Sequence, residues 1–392
     1  MRTASAMAAF TSTAAATAAF DLVAARFPLV PRNRPHCPPL DTRITHVATF
    51  ARQAAFARQA ACGGGDALLH AAEAHNLGAL IVSDCGLPDL ARRLCWHQID
   101  TLPLRRPLDA ATAKLALQPL INLARLRLRT GDGFAAYQIL TTLYGAVTAR
   151  TTATIDGRTL TFEDLVTAAD HPEAVRWLWT VLLADGTRAL TRTGHWTKVL
   201  DHLQRYKGIG QRLLDGRQAA ILAHHARKDH HAAEQMLATT TTTQPWEKSV
   251  ATCFGLLQRR ITGGKTPDDD RNTMDDFLPS NDPAYLAFHI QLGLCLLDVA
   301  DTPQRLRPVL DRIIDGALHS GDAYAARDLL IHPAARSYLS GDQLALLAER
   351  QQQSGLDSGH IPDALHRRLL DALELATSGF ASTSVHSGGR PA

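Results

Sequence analysis

Aromatic side chains are scarce in this chain, at 6% of 392 residues, while alanine is abundant. Strands need aromatic and β-branched side chains to fill a pleated face, and alanine is the best helix former, so the balance excludes a β-sandwich and favours closely packed helices. Net charge is also low, at +3, too little for a surface that neutralises phosphates over its whole extent; any basic site must be local, and nucleic acid is a disfavoured partner. No CxxC pair occurs. Cys37, Cys62, Cys85, Cys95, Cys253 and Cys295 lie far apart, which argues against a zinc centre and for buried or free thiols of a reducing, cytoplasmic compartment. No apolar run reaches the 18 residues that would mark a membrane span, so no membrane partner is expected.

Residues 1–40 are rich in Ala, Thr and Ser, but Thr11, Ser12 and Thr13 interrupt the apolar run that a secretory leader needs. They are expected to form a flexible segment, or an over-long gene start, ending at Pro31–Pro39. The bias to Ala, Arg and Thr is that of a GC-rich bacterial genome.

What the chain does contain is helical periodicity. Ile44, Val47, Phe50, Ala54 and Ala55 recur at three or four positions, the period of a helix with one buried face. Gly63-Gly64-Gly65 reads as a break, with Asp66 capping a helix over 67–83. Beyond it a three-point pattern recurs: Gly86, Ala91, Cys95; Gly131, Ala136, Leu140; Gly194, Val199, Leu203; Gly321, Ala326, Leu330; and, without glycine, Lys228, Ala233, Leu237. Glycine just past a helix end adopts the left-handed conformation that turns the chain back; a small residue five positions on lets two helices approach, and an apolar residue at nine packs one turn further along. Each copy is expected to close a helix hairpin. Thr151–Phe162 interrupts the series with Asp156-Gly157 between β-formers, the signature of a two-residue hairpin.

These offsets, together with Asn76-Leu77-Gly78 ahead of Gly86, resemble the tetratricopeptide family over roughly residues 67–350, and Gly194 to Lys228 matches its 34-residue period. The fold class expected is all-α: antiparallel helix hairpins stacked as an irregular solenoid, with one β-hairpin insertion at about 151–162. The domain limits expected are a flexible segment 1–40, a helical-repeat domain 41–376 with an exposed loop at about 263–283, and a disordered tail 377–392. The resemblance implies a groove lined by first-helix residues six and two positions before each turn glycine, which are Arg125 and Arg129, then Arg188 and Arg192, with Asn76 nearby. Arginine forks suit carboxylate or phosphate.

Other chemistries fit less well. Gly263-Gly264-Lys265-Thr266 lacks the first glycine of a phosphate loop, since Arg259 stands there. Asp268–Asp270 and Asp275-Asp276 sit in a polar, proline-bounded stretch, and read as a solvated loop in preference to a magnesium site. His224-His225 and His230-His231 lack the i,i+3 or i,i+4 spacing of zinc ligands on one helix. A DNA-reading helix-turn-helix at Gly86 would bury Arg92. The reading is therefore a non-catalytic scaffold or regulatory protein that binds a protein or peptide, an acidic one being what the arginines suit, with no cofactor and no metal. The alternatives are a nucleic-acid-linked transcriptional regulator and a helical accessory enzyme of a bacterial specialised-metabolite pathway.

Overall fold

A computed structural model describes residues 17–32, 34–59, 64–102, 104–264, 285–300 and 302–381. It is all-α with a single two-stranded antiparallel sheet among the described residues. The chain divides into two compact units, one from Met1–Cys37 and Thr187–Gln351, the other from Pro38–Gly186 and Gln352–Ala392. The single domain expected over 41–376 is thus replaced by two discontinuous ones.

The turn pattern forms as its chemistry requires. Gly86, Gly131, Gly194 and Gly321 have φ of 79°, 87°, 69° and 68°, and Lys228, in the copy without glycine, has φ 63°. In four of the five, two backbone bonds overlap: Leu87 donates to Val82 and Gly86 to Ser83, and the same pair recurs at Asp132/Gly131, His195/Gly194 and Asp229/Lys228. This satisfies the last carbonyls of the first helix. The next residue then caps the second helix, with Asp132 accepting from Ala135 N (3.0 Å) and Asp229 from Ala232 N (3.2 Å). The small residues five positions on, Ala91, Ala136, Val199, Ala233 and Ala326, are buried in every copy.

In the Pro38–Gly186 unit, α2 (Leu40–Gln59), α3 (Gly64–Asp84) and α4 (Pro88–Thr101) are followed by α5 (Ala110–Arg129) and α6 (Gly133–Ala149). Gly64 and Gly65 lie inside α3, and Asp66 stands in its first turn; the helix begins earlier than expected. Next come β1 (Thr152–Ile155) and β2 (Arg158–Thr161), paired Ile155↔Arg158 across Asp156-Gly157, whose φ of 49° and 84° make the two-residue turn. α7 (His171–Val181) runs into a π turn, Leu182–Gly186. The last helix, α18 (Asp363–Ala381), packs on α2, α3 and α4. A Cβ added at Gly78 would lie 3.1 Å from Leu373 Cδ2, and Arg58 donates to the carbonyls of Ala376 and Leu375. Helix contacts between chain ends depart from a pure repeat stack, in which each repeat touches only its neighbours.

The other unit holds α8 (Thr187–Arg192), α9 (Trp196–Arg205), α10 (Asp215–Ala226), α11 (His230–Ala238), α12 (Pro245–Thr262), α13 (Leu286–Val299), α14 (Arg307–Ser320), α15 (Ala323–Ile331), α16 (Pro333–Arg336) and α17 (Gly341–Ser354). Its core corrects the reading of a flexible segment for residues 17–32 and 34–37; residues 1–16 lie outside the described residues. A helix over residues 17–26, α1, and the chain after it bury Phe20, Val23, Phe27 and Leu29 among residues of α10, α12 and α13, with the Phe27 and Phe254 rings 4.6 Å apart. The buried Gln218 amide accepts from Leu29 N (2.7 Å) and donates to Leu29 O (2.8 Å), and Cys37 N donates to Asp322 Oδ1 (3.0 Å). Burying four large side chains at roughly 1.5–3 kcal/mol each outweighs the cost of ordering the segment that carries them. Helix α10 comes so close to the preceding loop that a Cβ at Gly216 would lie 2.1 Å from Gly208 O. Helix α18 continues to Ala381, past the expected limit at 376; most of the 263–283 loop and the end of the 377–392 tail lie outside the described residues.

Candidate functional site

Three of the expected groove residues, Asn76, Arg125 and Arg129, stand on α3 and α5 of one unit, whereas Arg188 and Arg192 stand on α8 of the other. Arg188 is half-buried and Arg192 exposed.

On α5 a polar stripe at helical spacing runs Gln118, Asn122, Arg125, Arg129 along the side that meets α3. Gln118 Nε2 donates to Asn122 Oδ1 (3.0 Å), and Asn122 Nδ2 donates to Asn76 Oδ1 (2.6 Å). Among the described residues the chain of amides ends on the Asn76 NH₂. Arg125 Nε donates to Asp185 Oδ2 (2.9 Å), a carboxylate carried by the π turn; inserted π turns re-aim side chains in this way. Arg129 Nη1 donates to Ser83 Oγ (2.7 Å) and Asp84 Oδ1 (2.9 Å), and Asp84 also binds the buried Arg43. Both guanidinium side chains stay open to solvent, at 46% and 41%. The sequence pattern located the arginines but missed Asp84 and Asp185, which hold them in place and cancel part of their charge. Neither acid has a sequence signature; each matters only through the fold.

A second cluster fixes the β-hairpin. The Asp156 carboxylate, 3% exposed, accepts from Arg92 Nε, Trp96 Nε1 (3.1 Å) and Arg127 Nη2 (2.8 Å). Burial opposes its charge, yet hydrogen bonds from Arg127, Trp96 and Arg92 outweigh that and hold the carboxyl below its usual range. Arg158 lies over the Trp96 ring at 4.2 Å and pairs with Asp100 (2.7 Å). Asp156 therefore does more than shape a turn, and Arg92, the residue that a helix-turn-helix would bury, is bound to it with its side chain 43% exposed.

The histidine pairs do flank a turn, but His225 Nδ1 and His230 Nδ1 approach to 3.2 Å. Burial, then His230 and His224, push His225 down to about 4, so His225 is neutral at pH 7. Among the described residues no group of three His, Cys, Asp or Glu side chains is placed to share a metal ion. Cys37, Cys85, Cys95, Cys253 and Cys295 are buried and unpaired by disulfides, and burial pushes Cys85 to about 11 and Cys95 to about 12, leaving both as unreactive thiols. Cys62, Lys265, Thr266, Asp268–Asp270 and Asp275-Asp276 lie outside the described residues, while Gly263 (φ 75°) caps α12. No described helix is long and apolar enough to cross a membrane. Comparison with protein-family models, with characterised proteins and with solved structures gave no match to this chain.

Proposed function

We propose that the protein is a non-catalytic, tetratricopeptide-like scaffold or regulator of the bacterial cytoplasm, and that the α3/α5 face binds an acidic peptide segment of a partner protein. The single observation that carries this reading is the line of donors, from the Asn76 amide to the Arg125 and Arg129 guanidinium groups, held by hydrogen bonds and half open to water. An amide offers the donor that a peptide carbonyl needs, and a guanidinium suits a carboxylate. Asp84 and Asp185 fix both arginine forks in advance, which lowers the entropy lost on binding. They also reduce the positive potential, which selects short acidic segments over polyanions such as nucleic acid.

The test is a displayed peptide library panned on wild-type protein and on the Asn76→Ala/Asn122→Ala variant. Acidic peptides should be enriched on the wild type, and synthetic copies should bind the variant at least tenfold more weakly while its helical circular dichroism is unchanged. Enrichment of no peptide class, or equal binding to both proteins, rejects the assignment.

A further inference from the structure

Within the same unit, a cavity of ≈ 180 Å³ lies between α4, α5 and the β-hairpin. Most of its lining residues are apolar, with Leu120, Leu160 and Phe162 among them, but polar atoms share the surface, and three polar features meet there. The first is the carboxamide of Gln98, which lines the cavity on a residue only 2% exposed. In a wall of this kind a carboxamide offers a ligand both donors and an acceptor. The second is Pro119, inside α5: it has no N–H, so the Leu115 carbonyl one turn earlier lacks its helical donor, and both residues line the cavity. The third is Arg106, an exposed residue at the mouth, whose Nη1 donates to Thr161 O (2.8 Å) and which forms no ion pair with any described acid. An open guanidinium, a carboxamide and an underused carbonyl around a chamber with aliphatic side chains in its wall are the complement of one kind of molecule.

We propose that this cavity binds a small organic monocarboxylate with an apolar ring or short chain. Its carboxylate lies on the free edge of the Arg106 guanidinium, its apolar body lies against Leu120, Leu160 and Phe162, and a polar substituent bonds to Gln98 or the Leu115 carbonyl. The size follows from volume: a cavity of roughly 150 Å³ lined by aliphatic side chains takes up benzene, so the ligand has about six to ten heavy atoms. The site is independent of the peptide face on α3/α5, and either assignment can fail without the other.

The experiment is isothermal titration of the full chain with benzoate, phenylacetate, hexanoate and octanoate, and with the neutral analogues benzyl alcohol and hexanol. The expected result is one saturable site for at least one acid, a neutral analogue bound at least tenfold more weakly, and a similar loss in Arg106→Gln, since a charge-assisted pair contributes about one decade in affinity. Ala116→Phe, which fills the chamber, should abolish binding. Because Arg106 is exposed, Arg106→Gln should fold as the wild type does, and the comparison of acids with alcohols needs no variant at all. No saturable binding of any acid at millimolar concentration, or acids and alcohols bound equally, or binding unchanged in Arg106→Gln, would overturn the proposal.

Discussion

His75 is fully buried in α3, and neither of its ring nitrogens has a hydrogen-bond partner among the described residues. Burial, and then the neighbouring His97 ring, 5.5 Å away, lower its pKa from 6.5 to about 4. The sign of the linkage follows. Above pH 6.5 the imidazole is neutral in both folded and unfolded chains and adds no pH dependence. Between pH 6.5 and about 4 the unfolded chain takes up a proton that the folded chain refuses, so stability falls as pH falls and levels off below 4. At 1.36 kcal/mol per pK unit the full loss is about 3 kcal/mol, of which about 2 kcal/mol has gone by pH 5. Leucine has similar bulk and no proton to lose, so His75→Leu should leave stability at pH 7.5 within about 1 kcal/mol, because the ring it replaces bonds to no described residue, and should be about 2 kcal/mol better off than wild type at pH 5 relative to that baseline. Urea unfolding of both proteins from pH 7.5 to 4.5 measures this directly, and carboxylates common to both cancel in the difference. Parallel stability curves for the two proteins would refute the burial argument.

The turn geometry makes a reciprocal pair of predictions. Lys228 is an exposed non-glycine at φ 63°, so Lys228→Gly should stabilise by about 0.5–1 kcal/mol, while Gly131→Ala, at φ 87° with nothing near the added Cβ, should destabilise by about 1 kcal/mol through backbone strain alone; thermal unfolding reads both, and equal signs would contradict the assigned conformation. Asp156→Ala should cost about 2–3 kcal/mol, at the lower end for a buried carboxylate because the arginines it releases are 43% exposed, and should change the near-ultraviolet signal of Trp96; a loss under about 0.5 kcal/mol would mean that the hairpin is held by its apolar contacts instead.

The helical class, the β-hairpin at Asp156-Gly157 and the turns at Gly86, Gly131, Lys228, Gly194 and Gly321 were all legible in the sequence, because each depends on residues within a few positions of one another. A left-handed φ, an Asp cap and a buried alanine five residues on are local requirements, and local chemistry records them; even the copy with lysine in place of glycine adopted the same turn. Of the groove residues, Asn76, Arg125 and Arg129 could be named from spacing, but their hydrogen-bond partners could not.

Tertiary structure alone decided the rest. The segment before Pro38 reads as a loose tail, and only the site that receives Phe20, Val23, Phe27 and Leu29 makes residues 17–32 part of a core; the Gln218 amide that grips Leu29 is 189 residues away. The same distance in sequence hides the pairing of α18 with α2, the acids behind Arg125 and Arg129, and the chamber where Gln98, Pro119 and Arg106 meet. Periodicity states that a face will be buried, and local turn chemistry states where the chain reverses, but which faces cover one another is set by burial free energy summed over segments far apart in the chain.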